Sequence, residues 1–458
     1  MKKGFTLVEL LAVIVILGII AGITTPIIRG VIDNSRKESF LDSVNGLVHA
    51  VELDKASRGF GIYQVYEIDG NSEDSISPSI PISGSVTGVG EIVVNEDGDI
   101  DVLIEFDKWC AYKPIETHIV RLYDAPCIEN ADSSFANRPY LHKGMIPIRY
   151  EGANIVKADN RNPDSSPWYD YENSIWANAV VVHEAHKDNY LNVEPGEIID
   201  NDHILLELVW IPRFKYKVEE NPIDIEFVKG APFVSSPVEG QGYRVHPAFT
   251  FGEKSLRGFW ASKYQLTGDL DLITSKSTDS VITNQSVNTL YTLVSSMNSS
   301  NNPYGFPSGT LSTRVQKNTE WAAISYLAQS EYGIDSSSIS VGGSTTNNEY
   351  GVYNMVGLPS DFVMSSYNKR IGGSLLSPFP EDKFYDNYTS DNIDQACRGN
   401  ICYGHGLSET NTFHGGSKDF LTGPRPFLVR GVSEMLDYSN STGGGSSDEA
   451  YRLTISRR

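Results

Sequence analysis

Residues Met1–Gly30, MKKGFTLVELLAVIVILGIIAGITTPIIRG, decide how the rest of the chain is organised. From Phe5 to Ile28 every position is apolar or small except Glu9 and three threonines. A helix of about 24 residues rises about 36 Å, enough for a hydrocarbon core of about 30 Å. Lys2 and Lys3 precede it as a short positive leader of the kind that stays cytoplasmic. A secretory signal peptide has an apolar run of about 7 to 15 residues, so this run is too long for one. Glu9 fits a plain anchor no better, because an ionised carboxylate in the span costs about 2.5 to 3.5 kcal/mol. A carboxylate kept in that place calls for a partner charge.

Beyond residue 30 the helix is expected to continue with a changed surface. Phe40, Val44, Leu47, Val48 and Val51 form one apolar stripe on an otherwise polar segment. Such a helix, running to about Ser57, would leave a membrane and lie against a sheet; Arg58, Gly59, Phe60 and Gly61 end it. Residues 62–128 read as loop and strands. Asp97 and Gly98 give a turn signal between Val- and Ile-rich runs, and IDVLIEFDKWCAY and THIVRLYDAPCI are each expected to form a strand. The first part is therefore a long helix packed on a small antiparallel sheet.

The opening residues Lys2, Lys3, Gly4, Phe5, Thr6, Leu7, Val8 and Glu9 resemble the class III leader of type IV prepilins and pseudopilins. The resemblance implies cleavage between Gly4 and Phe5 and methylation of the new amino-terminal Phe5. It implies that Glu9 meets the charged amine of Phe5 on a neighbouring subunit during assembly. The partners it implies are a prepilin peptidase, other pilin subunits, and the membrane, crossed once before assembly; the final location is an extracellular filament or the cell surface. Pro26 falls where many pilins kink this helix. The domain plan is a leader (1–4), a membrane or filament-core helix (5–28), a pilin-like helix and sheet (29–128), a polar linker ENADSSFANR (129–138) and a large second domain (139–458).

Composition limits what that second domain does. A length of 458 residues exceeds one ordinary domain, and 40% hydrophobic with 10% aromatic content supports real cores. A formal net charge of -21 argues against nucleic-acid binding, which wants a basic face. Four cysteines in an exported chain suit two disulfides, expected locally as Cys110 with Cys127 and Cys397 with Cys402, one of three possible connectivities. Two helices are expected, Ser286 to Met297 and Asn318 to Ser330, the latter capped by Asn318 or Thr319 and apolar along Trp321, Ile324, Tyr326 and Leu327.

The motifs VWIPRFKY (209–216), GFWASKYQLTG (258–268), KNTEWAAISYLAQSEYG (317–333), EYGVYNMVG (349–357), LVRG (428–431) and YRLTIS (451–456) occur in an order that resembles the formylglycine-generating-enzyme-like, or sulfatase-modifying, superfamily. The upstream piece from Gly144 to Val180 is similar to the entry segment of its surface-exposed bacterial members. The resemblance covers roughly 139–458 and implies a loop-rich, mixed C-type-lectin-like fold, so the whole chain is expected to be α+β. The chain departs from the family's pattern after Met355-Val356-Gly357 and after Gly431. The superfamily holds both oxidases and binding proteins, and fold alone does not choose between them.

A copper-dependent oxidase would use Cys397 and Cys402, whose spacing CRGNIC fits, but here the pair precedes Arg430 and Gly431 instead of following them. A loop-stapling disulfide is the expected role, no enzyme activity is expected, and the oxidase stands as the alternative. His183 to His186, HEAH, is one residue short of a zinc-protease HExxH and reads as surface. His405 and His414 lie in glycine-rich loop sequence. Asp386, Asn387, Asp391 and Asp394 crowd one segment with oxygen ligands, so calcium is the one cofactor entertained. Tyr367, Phe379, Phe384, Tyr385, Tyr388 and Tyr403 read either as a stacking surface or as core. The candidate ligand-binding residues are Asp437, Tyr438, Asn440, Asp448 and Glu449, in a polar loop over 437–452. The expected function is that of a minor pilin or pseudopilin displaying a lectin-like domain toward an extracellular glycan or protein; a secretion or DNA-uptake pseudopilin touching cargo is the other variant.

Overall fold

In the computed structural model the described residues are 7–58, 64–68, 76–77, 79–82, 88–94, 98–113, 119–123, 136–142, 144–159, 168–191, 193–217, 223–228, 242–306, 308, 311–334, 339–369, 376–399, 402–407 and 419–457. Of residues 8, 9, 18–27, 29, 65, 67, 77, 89 and 457 only the backbone is described. The chain divides into two compact units, Met1–Cys127 and Ile128–Arg458, and the whole is α+β with mostly antiparallel sheets.

Unit 1 is built on helix α1, Leu7–Arg58, 52 residues long. Its second half carries the apolar stripe onto a six-stranded antiparallel sheet. The strands are β1 (Gln64–Ile68), β2 (Ile76–Ser77), β3 (Val89–Val94), β4 (Ile100–Phe106), β5 (Trp109–Lys113) and β6 (Arg121–Tyr123), in the order β2-β1-β3-β4-β5-β6. Phe40, Val44, Leu47 and Val51 are buried against Tyr66, Ile92, Val102, Ile104 and Trp109. Burying a Val or Leu side chain contributes about 1.5 to 3 kcal/mol, so this stripe is what holds helix to sheet. Polar ties secure it: the Tyr66 hydroxyl donates to Asp54 at 2.5 Å and Lys55 Nζ to the Gly98 carbonyl at 2.6 Å.

IDVLIEFDKWCAY is a hairpin of two strands and not a single strand. Asp107 adopts φ 58°, a left-handed conformation that Asp tolerates, and the chain turns back so that Phe106 faces Trp109. The pair β1 and β2 also lies in a region read as loop, where the apolar residues are too few for a clear alternation. Gly98 follows the expected turn at φ +84°, joining β3 to β4; Asp97 lies outside the described residues.

Unit 2 centres on a seven-stranded antiparallel sheet that includes β7 (Met145–Glu151), β8 (Asn154–Lys157), β9 (Asn178–Val182) and β10 (Ile204–Pro212). Across the sheet the order is Leu311–Val315, Leu453–Arg457, Gly258–Ser262, β10, β9, β7, β8. The last strand of the chain is therefore inserted between two earlier ones. A four-stranded sheet, Tyr438–Ser441, Phe427–Arg430, Ser360–Val363 and Glu449–Tyr451, packs into the same core, with the last two strands parallel. The chain leaves this small sheet at Tyr451 and enters the large one at Leu453. Between them Arg452 is fixed by Asp361, Nε to Oδ2 2.6 Å, and Asp361 also accepts from Trp321 Nε1 at 3.0 Å and Gln265 Nε2 at 2.8 Å.

The two expected helices are Val287–Ser295 and Asn318–Ala328. Ser286 caps the first, accepting from the Thr289 amide at 3.2 Å. Neither Asn318 nor Thr319 caps the second: Lys317 holds the cap position, its amide donating to Glu320 Oε2 at 2.9 Å, while Asp386 accepts the Thr319 amide at 2.7 Å from across the fold. All of that helix is buried, not one face alone. Glu320 is held ionised in the core by Arg314, which donates to it at 2.5 and 2.9 Å. The end of the expected linker is also part of the packed unit, for Ala136, Asn137 and Arg138 are buried and Asn137 donates to the Val228 and Arg257 carbonyls. Residues 129–135 lie outside the described residues.

Candidate functional site

Two places carry chemistry that packing alone leaves unspent. The first is the start of α1. Leu7, Leu10, Leu11, Val13, Ile14, Val15, Ile16 and Leu17 are all exposed, from 80% at Leu7 to 46% at Val13. Isolated exposed apolar residues are ordinary, but eight within eleven positions on one helix form a continuous surface that needs cover. Gly4 and Phe5 lie outside the described residues, as does the side chain of Glu9, whose backbone is helical. Among the described residues no helix is long and apolar enough to cross a membrane; the expected span, 5–28, includes residues 5 and 6 and the side chains of 18–27, outside that set.

The second place is in unit 2, on one face of the large sheet. Asn178 of β9 lies directly opposite Ile148 of β7 and Val209 of β10. Residues two apart share a face of a strand, so Tyr150 and Glu207 stand on the same face as Asn178. Lys263 follows the strand Gly258–Ser262 and reaches into the group they form. Its Nζ donates to Tyr150 Oη at 2.7 Å, to Asn178 Oδ1 at 2.7 Å and to the Glu349 carbonyl. Tyr150 Oη donates to Glu207 Oε2 at 3.1 Å. Asn178 Nδ2 donates to the Trp176 carbonyl at 2.9 Å and the Tyr350 carbonyl at 2.8 Å, which fixes the amide plane. Tyr350 closes edge-on over Tyr150 at 5.2 Å, and the Lys263 ammonium sits 4.4 Å from the Tyr150 ring centre.

Burial governs the charges there. It brings Lys263 down to about 7, against the opposing pull of Glu207 and Glu349. It raises Glu207, with Lys263 and the Tyr150 hydrogen bond pulling the other way, and raises Tyr150 well above its ordinary value. Beside the cluster opens a cavity of about 140 Å³ lined by Tyr150, Glu207, Asn201, Tyr264, Lys276 and Thr278 among others. None of these residues was singled out from sequence. The available signal was a lone Glu in the fully buried run ILLELVWIP and a lone Lys closing GFWAS.

The residues that sequence did single out are dispersed. The stretch 437–452 is not an open loop, because it holds the strands Tyr438–Ser441 and Glu449–Tyr451. Asp437, Tyr438 and Asn440 are buried: Ser433 donates to Asp437, and Asn440 donates to the Phe420 carbonyl at 2.6 Å. Asp448 is exposed and Glu449 half-buried. The oxygen-rich segment does not converge either. Asp386 is spent on the helix start described above, Asn387 accepts the Lys369 amide at 2.8 Å, and among the described residues no three His, Cys, Asp or Glu side chains are placed to hold a metal.

The aromatic residues of that region are packed. Tyr385 and Tyr388 are buried, Phe379 meets Tyr385 at 4.8 Å, Phe384 meets Phe251 at 5.4 Å, Tyr367 packs against the core, and Arg244 lies 3.4 Å over Tyr403. His405 shares a hydrogen bond with Tyr388 at 2.8 Å, and His414 lies outside the described residues. His186 stacks on His203 at 3.7 Å, and His183 caps the short turn Glu184–His186. Cys397 and Cys402 are joined as a disulfide, Cys110 is disulfide-bonded, and Cys127 lies outside the described residues.

Residues 1–25 match the family model of the prokaryotic N-terminal methylation motif, so the chain opens with a type IV prepilin-like signal. The match includes the exposed apolar residues Leu7 to Leu17; such a motif supports a type IV pilin- or pseudopilin-like protein and implies association with other pilin subunits and a prepilin peptidase. A signal of this kind points to membrane insertion and then a place in a surface pilus.

Proposed function

We propose that this chain is a minor pilin or pseudopilin that carries unit 2 as a display head for adhesion or ligand binding. The observation that carries the proposal is the contrast within α1: its second half is buried on the sheet, whereas Leu7 to Leu17 expose a continuous apolar surface. Such a surface is stable only when a membrane or neighbouring helices cover it, which is the sequence of environments a pilin meets. Glu9 then supplies the electrostatic demand that the amine of Phe5 on another subunit satisfies. A carboxylate left unpaired there costs several kcal/mol, so assembly and pairing are coupled.

The head has a formylglycine-generating-enzyme-like, C-type-lectin-like fold in this reading. In support, the family motifs fall on strands and a helix that share one core, with Trp210, Trp260, Trp321, Leu428 and Tyr451 inside it. The head binds and does not catalyse, a reading favoured by Cys397 and Cys402 bonding each other in place of a metal. Unit 2 is large beside a pilin core, which favours a tip or low-copy position. The test is Glu9→Ala in the full chain: the head keeps its unfolding transition while the protein disappears from sheared filaments. Normal incorporation of that variant would overturn the pairing.

A further inference from the structure

The cluster at Asn178, Lys263, Tyr150 and Glu207 has the composition and the contacts for a covalent step between two of its own side chains. Lys263 Nζ is 2.7 Å from Asn178 Oδ1, and the carbon that bears this oxygen lies one carbonyl bond of about 1.23 Å away. The amide cannot swing aside, because both of its N–H bonds are donated to the Trp176 and Tyr350 carbonyls. Tyr150 Oη touches the amine at 2.7 Å and Glu207 Oε2 at 3.1 Å, so a hydroxyl links nucleophile to carboxylate. The group is walled by Tyr350 and by sheet, which keeps bulk water away from the amide. Held neighbours of this kind react with effective concentrations of about 10⁵ M or more.

We propose that Lys263 and Asn178 become joined by an intramolecular amide bond. The neutral Lys263 amine attacks Asn178 Cγ, forming the Nζ–Cγ bond. The proton lost from Nζ passes through Tyr150 to Glu207, and an equivalent proton is returned to Nδ2. The Cγ–Nδ2 bond then breaks and ammonia leaves. One amine and one primary amide thus give one secondary amide and ammonia, with no redox change and no co-reactant. The cavity beside Tyr150 and Glu207 gives the ammonia a way out. Burial assists, because it keeps a share of Lys263 unprotonated near neutral pH and makes the Glu207 carboxylate a stronger proton acceptor than an exposed one.

The bond would clamp β9 to the residue after Gly258–Ser262, across the intervening β10. A head pulled through a filament gains from such a clamp; that use rests on the display reading, whereas the bond itself does not.

The experiment is a tryptic map of the full-length chain purified in detergent, reduced and alkylated. The expected result is one branched peptide containing both Asn178 and Lys263, lighter by about 17 Da than the sum of its parts, with no cleavage after Lys263. Glu207→Gln, which keeps size and removes the proton acceptor, is expected to cut the yield of that peptide at least about tenfold. Separate peptides for Asn178 and Lys263 in the wild-type protein, with Lys263 cleaved normally, would overturn the proposal whether or not any variant folds. An undiminished yield in a folded Glu207→Gln protein would overturn the role given to Glu207. Neither result depends on filament assembly, so a failure here is distinct from a failure of the Glu9 test.

Discussion

Asp361→Asn removes one charge from the core of unit 2 without changing a side chain's size. Asp361 is 1% exposed and accepts from three donors: Arg452 Nε at 2.6 Å and Trp321 Nε1 at 3.0 Å on Oδ2, and Gln265 Nε2 at 2.8 Å on Oδ1. An amide offers one acceptor oxygen and one N–H₂. Pointing the nitrogen at the Oδ2 site sets it against two donors. Pointing it at the Oδ1 site sets it against Gln265, which can turn its own amide only by giving up its 2.7 Å bond to the Pro359 carbonyl. In either orientation Arg452, also 1% exposed, loses its counter-charge. Breaking a buried pair from one side costs about 3 to 5 kcal/mol. For a unit this large, with an unfolding entropy of about 2.1 cal/mol/K per residue, that corresponds to a midpoint about 4 to 7 °C lower. Five of the six tryptophans lie in unit 2, so tryptophan fluorescence during thermal or urea unfolding reports on it directly. A loss below about 1 kcal/mol would refute the claim that this pair locks the crossing between the two sheets.

Other expectations are as concrete. Burial lowers the pKa of His246 well below the ordinary 6.5, aided by His405 and Lys317, so the unfolded state binds more protons in acid. Its contribution to stability is full above pH 6.5 and is lost as the pH falls below that value; denaturation midpoints at pH about 7.5 and about 5.5 measure the loss, and His246→Phe should shrink it. Changing both Cys397 and Cys402 to serine opens a loop with a sequence separation of 5, which costs about 2 kcal/mol in chain entropy, measured by urea unfolding of unit 2. Leu11→Asp places a charge on the exposed surface of α1, where Leu11 is 62% exposed. It should leave the unfolding of both units unchanged, yet lower membrane insertion by about 2.5 to 3.5 kcal/mol, read as the membrane-bound fraction.

The helix of unit 1 was legible because its signal is local. Phe40, Val44, Leu47 and Val51 repeat at helical spacing and all four are buried against the sheet. The hairpin at Asp107 was not legible, because an apolar run on each side of a two-residue polar turn looks like one long strand. In unit 2 Trp210, Trp260 and Trp321 lie in the core, as the aromatic content led one to expect, but polar composition over 437–452 concealed the strand Tyr438–Ser441, whose Tyr438 and Asn440 are buried beside Asp437. A polar side chain buried with a partner reads, in sequence, the same as one in solvent. The Lys263 cluster was hidden for a related reason: its members lie on four separate segments, and only strand register brings them together. Asp386 likewise looked like a cation ligand until the start of Asn318–Ala328 was found to claim it.

The account rests first on the opening helix serving as an assembly handle that is cut and then buried among its neighbours. The most direct measurement is the mass of the amino-terminal peptide of this chain recovered from filaments sheared off intact cells. The account predicts a peptide that begins at Phe5 and carries one methyl group on its amine. A peptide that still begins at Met1, or filaments from which the chain is absent while it remains in the cell, would contradict it.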